Sequence, residues 1–149
     1  MNKETLKGVL QQFAVRKLPE PRRRQLELPL NSGKVVYVTG ARRTGKTFLF
    51  FQTIGDLLAQ GIAREQIIYL NFEDDRLFPV EPEQLDLVLR AHQELFPNAA
   101  ERTRYVFFDE IQNVKDWERY IRRIHDTEDV AIFLTGSSSS LLRRDMSTA

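Results

Sequence analysis

The sequence predicts an α/β fold of three layers, a parallel sheet between two layers of helices, and three observations carry that prediction. Four short runs, residues 35–39, 66–72, 105–108 and 130–134, are apolar without alternation, as strands buried on both faces are. The stretches between them place apolar residues at helical spacing. The first run leads directly into Gly40-Ala41-Arg42-Arg43-Thr44-Gly45-Lys46-Thr47, which fits G-x-x-x-x-G-K-[ST] at every position and is followed by an apolar helical start.

In chain order, residues 3–17 carry Leu6, Val9, Leu10 and Phe13 on one helical stripe, which is expected to pack on the nucleotide-binding core or on a partner. Pro19 and Pro21 close that helix, and Arg22-Arg23-Arg24 reads as a solvated charge run. Asn31-Ser32-Gly33 turns the chain into the first strand. After the glycine loop, residues 46–60 form a helix with Leu49, Phe50, Ile54, Leu57 and Leu58 inward and Gly61 as its C-terminal stop. The second strand ends in Glu73-Asp74-Asp75, which is expected to order its own loop through Arg76. Residues 83–95 make an amphipathic helix, in which His92 is an ordinary helix residue, as is His125 further on. The third strand delivers Asp109-Glu110 to the sheet edge; Trp117 then anchors a helix through Tyr120, Ile121 and Ile124. The fourth strand delivers Thr135-Gly136-Ser137, and Ser138 to Ser140 can cap a helix opening at Leu141.

These residue types at these spacings are what binding and splitting a triphosphate requires. Gly40 turns the chain sharply out of the strand, and Gly45 lets backbone approach a phosphate closely. The loop amides and the helix N-terminus form an anion cradle. Lys46 reaches the β- and γ-phosphates, and the Thr47 hydroxyl is placed to ligate Mg²⁺. Arg42, Arg43, Thr44 and Phe48 complete the stretch expected to surround the nucleotide. Asp109 would hold Mg²⁺ through its water shell, and Glu110 beside it would orient and partly deprotonate the attacking water. A Ser137 hydroxyl at the tip of the fourth strand could bond the γ-phosphate or that water. The loop strand and the acid-bearing strand are expected to be neighbours that end side by side, with the fourth strand also beside the loop strand.

Composition narrows the alternatives. With 149 residues, 42% of them hydrophobic and 29% charged, the chain suits one soluble globular core. A net charge of +1 argues against a dedicated nucleic-acid surface, and only the arginine clusters keep that option open. There are no cysteines, which excludes disulfides and thiolate metal sites and suits a cytoplasmic protein. No stretch is long and apolar enough for a membrane span. An Asn-Lys-x-Asp segment is missing, which weakens a GTPase reading, and paired Asp109 and Glu110 suit activation of water better than a small-molecule kinase.

The set GARRTGKT, NFEDDRL, FFDEIQNVKDWERYIRRI and IFLTGSSSSLL resembles a family of prokaryotic ATPases of the AAA+ superfamily, over about residues 26–144. The resemblance implies an ATP- and Mg²⁺-dependent P-loop module in which Lys46 and Thr47 serve Walker A, Asp109 and Glu110 serve Walker B, and Ser137 stands at the sensor 1 position. It further implies a five-stranded sheet, a helical subdomain with a sensor 2 arginine, and a second domain. With four strands counted, the sequence reads as a fragment: residues 1–30 a helix and lead-in, residues 31–149 an AAA+ core incomplete at its C-terminus. Arg143 and Arg144 lie roughly where such ATPases carry an arginine finger, although a solvated helix face is the better reading of them. The function expected is ATP hydrolysis coupled to conformational change, with an ATP-gated switch of slow turnover as the alternative. Partners would be a protein or the further domain, and oligomers are compatible with the family.

Overall fold

The computed structural model describes residues 1–18, 26–40 and 45–137. The readings made above for Arg22–Arg24, Arg42, Arg43, Thr44, Ser138–Ser140, Arg143 and Arg144 fall outside the described residues. The elements are α1 (Lys3–Val15), β1 (Val36–Thr39), α2 (Lys46–Ala59), β2 (Ile67–Asn71), α3 (Asp86–Leu95), α4 (Pro97–Ala100), β3 (Arg104–Asp109), α5 (Trp117–Thr127) and β4 (Val130–Gly136).

The strands form one parallel sheet in the order β1-β4-β3-β2. The α/β class and its parallel sheet are therefore as expected, but one detail of the order differs. β1 and β3 are not neighbours: β4 lies between them, pairing Val36 with Phe133 on one side and Phe107 with Phe133 on the other. Burial accords with the place of these two strands: from Ile132 to Gly136, β4 is buried throughout, whereas three of the four residues of the edge strand β1 are only half-buried. The other edge strand, β2, is buried nonetheless, because α1 runs beside it.

Each face of the sheet has its own core. On one, Phe50, Phe51, Ile54 and Leu57 of α2 meet Val36, Tyr69, Tyr105, Phe107 and Phe133. Phe107 stacks on Phe133 at 4.5 Å and receives the edge of Phe50 at 5.1 Å. On the other, α3 and α5 supply Val88, Leu89, Trp117, Ile121 and Ile124 against Ile68, Leu70, Val106, Phe108, Ile132 and Leu134. Alternate residues of each strand thus feed opposite cores, which is why the runs show no polar period. A fully buried Phe or Leu contributes about 1.5–3 kcal/mol, so these two layers hold the sheet.

The helix expected at residues 3–17 ends at Val15 and opens on Asn2, whose Oδ1 accepts from the amides of Glu4 (2.8 Å) and Thr5 (3.2 Å). It runs beside β2: Leu6 and Leu10 join the second core, while Phe13 reaches round to the first and touches Tyr69. α2 stops where Gly61 adopts φ 94°, a conformation that a side chain would strain. Phe51 is buried and Leu58 only half-buried, a small rotation from the expected stripe. The helix expected from residue 83 begins as a tight turn, Pro82–Leu85, and becomes α-helical at Asp86. Trp117 is buried, as an anchor should be.

Candidate functional site

Three strand tips and one helix start converge at the C-terminal edge of the sheet. β1 ends at Thr39 and leads to Gly40. α2 begins at Gly45, whose φ of 89° and ψ of 17° lie in the left-handed region, so a residue without Cβ suits that position. Lys46 and Thr47 occupy the first turn of α2. β3 brings Asp109 and Glu110, and β4 brings Thr135 and Ser137.

Thr47 Oγ1 donates to Asp109 Oδ2 at 2.8 Å, so the helix start and the acid strand meet directly although β4 separates β1 from β3. Asp109 is buried, and its Oδ1 accepts from the hydroxyl of Thr135. Tyr69 of β2 donates to Oδ2 at 2.7 Å. Burial, then the charge of Asp109 and this bond to it, push the Tyr69 pKa far above the ordinary phenol range, so the group stays a proton donor.

Lys46 is buried and its three ammonium hydrogens have three acceptors: Gly40 O at 2.7 Å, Gly136 O at 2.9 Å and Ser137 Oγ at 3.0 Å. Glu110 Oε1 lies 3.7 Å from the same nitrogen. The Ser137 hydroxyl is 2.9 Å from both carboxylate oxygens of Glu110, and Gln112 Nε2 donates to Glu110 Oε2 at 2.6 Å. Glu110 itself sits at φ 57° and ψ 48°, a left-handed conformation that costs a non-glycine residue on the order of 1 kcal/mol or more. Its amide donates to Thr135 Oγ1 at 2.9 Å, which ties that strained backbone to β4.

Thr47 with Asp109, and Lys46 with Ser137 and Glu110, thus form two hydrogen-bonded groups that Thr135 joins into one cluster, flanked by Gly40 and Gly45. Phe48 is 47% exposed on the first turn of α2 and packs edge-on to Phe51. The sequence reasoning passed over Tyr69, which looks like one more apolar strand residue, and gave Gln112 no task. It named Thr135 only as part of the strand tip. The donors fit a small hard cation: one carboxylate and one hydroxyl, leaving further positions for water and phosphate oxygens. Among the described residues no group of three or more His, Cys, Asp or Glu side chains gathers into an all-protein metal cage.

Other readings resolve as structural. Asp74 accepts from Arg76 Nη2 at 2.6 Å and from its amide, which orders the loop after β2 and holds the Asp74 carboxyl below its usual pKa. His92 is buried, and its Nε2 lies 2.7 Å from Glu65 O. The described residues contain no helix long and apolar enough to cross a membrane.

A parallel sheet wound in this order, with the glycine-flanked helix start and an acid pair at its C-terminal edge, defines a protein of the P-loop class. The chain belongs to the AAA domain family, whose sequence profile matches residues 32–149, and is a nucleotide-binding module of that type. It is similar to an uncharacterised protein of Methanocaldococcus jannaschii, with 33% identity over 95% of this chain and 30% of the relative. Another uncharacterised protein, from Haemophilus influenzae, is 36% identical over 74% of this chain and 27% of its own length. The chain therefore spans less than a third of the length of these relatives. A loose overlay, with a TM-score of 0.44 and 17% identity over 95% of this chain and 38% of the other, relates it to a structure of C. elegans PCH-2. The fold is read from the sheet itself.

Proposed function

We propose that this chain binds ATP with Mg²⁺ and hydrolyses it, as the motor part of a longer protein. The observation that carries the reading is the 2.8 Å bond between Thr47 Oγ1 and Asp109 Oδ2. It joins the two halves that such a site needs, a phosphate-facing helix start and a carboxylate able to hold a metal. Thr47 and Asp109 would hold Mg²⁺, which when bound neutralises charge on the phosphates. Gly40, Arg42, Arg43, Thr44, Gly45 and Phe48 would surround the nucleotide, and Lys46 would exchange an internal acceptor for a phosphate oxygen. Glu110 would take a proton from a water attacking the γ-phosphorus as the bond to the β–γ bridging oxygen breaks, leaving ADP and inorganic phosphate. Ser137, bonded to both Lys46 and Glu110, would sense whether the γ-phosphate is present.

One observation favours the second reading, an ATP-gated switch with slow turnover. Glu110 is engaged by Ser137 and by Gln112, so part of its accepting capacity is taken up before an attacking water arrives. In either reading, residues 1–30 act as lead-in and residues 31–149 as the nucleotide-binding core. The protein works in the cytoplasm, through a partner or a further domain, with self-association as one route.

The test compares the full-length protein with Glu110→Gln. The variant is expected to bind ATP with Mg²⁺ while steady-state phosphate release falls at least about tenfold. Equal turnover removes Glu110 from this role. Lys46→Ala is the companion arm: it should weaken nucleotide binding itself, and unchanged affinity counts against the site.

A further inference from the structure

Within the buried run of β2, one side chain carries a polar group that hydrolysis as proposed above does not use. Tyr69 pairs with Phe107, two residues before the register that sets Asn71 opposite Asp109. Two residues along a strand and one strand across make a diagonal of about 8 Å, which an extended phenol can bridge to meet an Asp side chain. Its hydroxyl ends 2.7 Å from Asp109 Oδ2. A carboxylate can only accept, so the phenol donates.

Asp109 then has three hydroxyl partners: Tyr69 and Thr47 on Oδ2, and Thr135 on Oδ1. A carboxylate offers about four lone-pair positions, so three hydrogen bonds leave roughly one, on Oδ1. That count matters because it fixes a single direction in which the group can still act. The phenol ring is itself clamped, with Phe13 of α1 at 5.3 Å and Phe51 of α2 at 5.4 Å. The same ring forms part of the wall of an open cleft of about 490 Å³ between α1 and the end of β2, with Gln12, Arg16, Asn71 and Arg76 among its other lining residues.

We propose that Tyr69 is a positioning residue for Asp109: it holds Oδ2 so that the carboxylate presents one fixed lone pair to Mg²⁺, and through Phe13 it makes that aim depend on how α1 is seated. The inference rests on reading Asp109 as the metal-holding carboxylate, and its test separates the two. Hydrogen-bond partners behind a metal ligand characteristically change metal affinity by about 10–100-fold when removed. Tyr69→Phe keeps the ring and its contacts and deletes only the donor.

The experiment measures binding of a fluorescent N-methylanthraniloyl ATP to the full-length protein, first in EDTA and then along a Mg²⁺ titration. Tyr69→Phe is expected to match the parent in EDTA and to need about tenfold more Mg²⁺ to reach its binding midpoint. Phe13→Leu, which leaves the phenol in place and loosens its ring, is expected to shift the midpoint in the same direction by less, and it carries the test should Tyr69→Phe fail to fold. Asp109→Asn is the separating arm. A midpoint that moves with Asp109→Asn but not with the Tyr69 or Phe13 variant overturns the positioning role alone. A midpoint unmoved by Asp109→Asn overturns the metal assignment and this inference with it.

Discussion

Thr135→Val is the substitution that tests the site's architecture most directly, because it changes hydrogen bonding and almost nothing else. Thr135 is fully buried at the end of β4, where its hydroxyl donates to Asp109 Oδ1 and accepts the Glu110 amide at 2.9 Å. Valine keeps the volume but not the oxygen, so Asp109 Oδ1 and the backbone amide of Glu110 both lose their partner in a dry place. A bond to a charged group contributes about 2 kcal/mol and a neutral one about 1 kcal/mol, which gives roughly 3 kcal/mol of stability lost. The left-handed Glu110 also loses the clamp that holds it. For a domain of this size each kcal/mol moves the melting temperature by about 2–4 °C, so the midpoint should fall by about 6–12 °C in a circular-dichroism melt. Thr135→Ser, which keeps the hydroxyl, should recover most of that. A valine variant melting within about 2 °C of the parent, or a serine variant no better than valine, would refute the reasoning.

The remaining predictions concern the core and its titration. Phe50→Ala should cost about 3–5 kcal/mol in urea denaturation, because Phe50 is fully buried and its edge completes the Phe107–Phe133 stack; a loss under about 2 kcal/mol means that the layer is not packed as described. Burial holds the His92 pKa down at about 4 against 6.5 for a free imidazole. Between those values the unfolded chain binds the extra proton, so stability falls as pH drops through that window, by on the order of 3 kcal/mol in total. His92→Gln, which keeps a donor for Glu65 O, should lose less stability than the parent between pH 7 and pH 4.5 in chemical denaturation; equal losses would show that His92 does not titrate this way.

What could be read from the sequence was what is local. Each strand announces itself by an unbroken apolar run, and the glycine loop by spacing alone, so the elements and most of the acid and hydroxyl residues of the site are legible. The order of the strands is not, because the runs are comparable in length and apolarity and nothing in them says which partner each takes. Placing β1 beside β3 was therefore wrong, while placing β4 beside β1 was right. Tyr69 was hidden for a related reason: its hydroxyl finds Asp109 across 40 residues of sequence, and only the register of β2 on β3 brings them together. Gln112 meets Glu110 because the chain turns back through the tight turn Ile111–Asn113 after a positive φ, and no pattern of residue types signals that a glutamate will adopt one.

The internal occupancy of Lys46 has a mechanical consequence. No anion can claim this cation as a vacant hook; it must evict a sitting tenant, either a carbonyl at the foot of the glycine loop or one of two atoms at the tip of β4. The ease of admitting an anion is therefore set jointly by the glycine loop and by β4, whose atoms hold the ammonium in place.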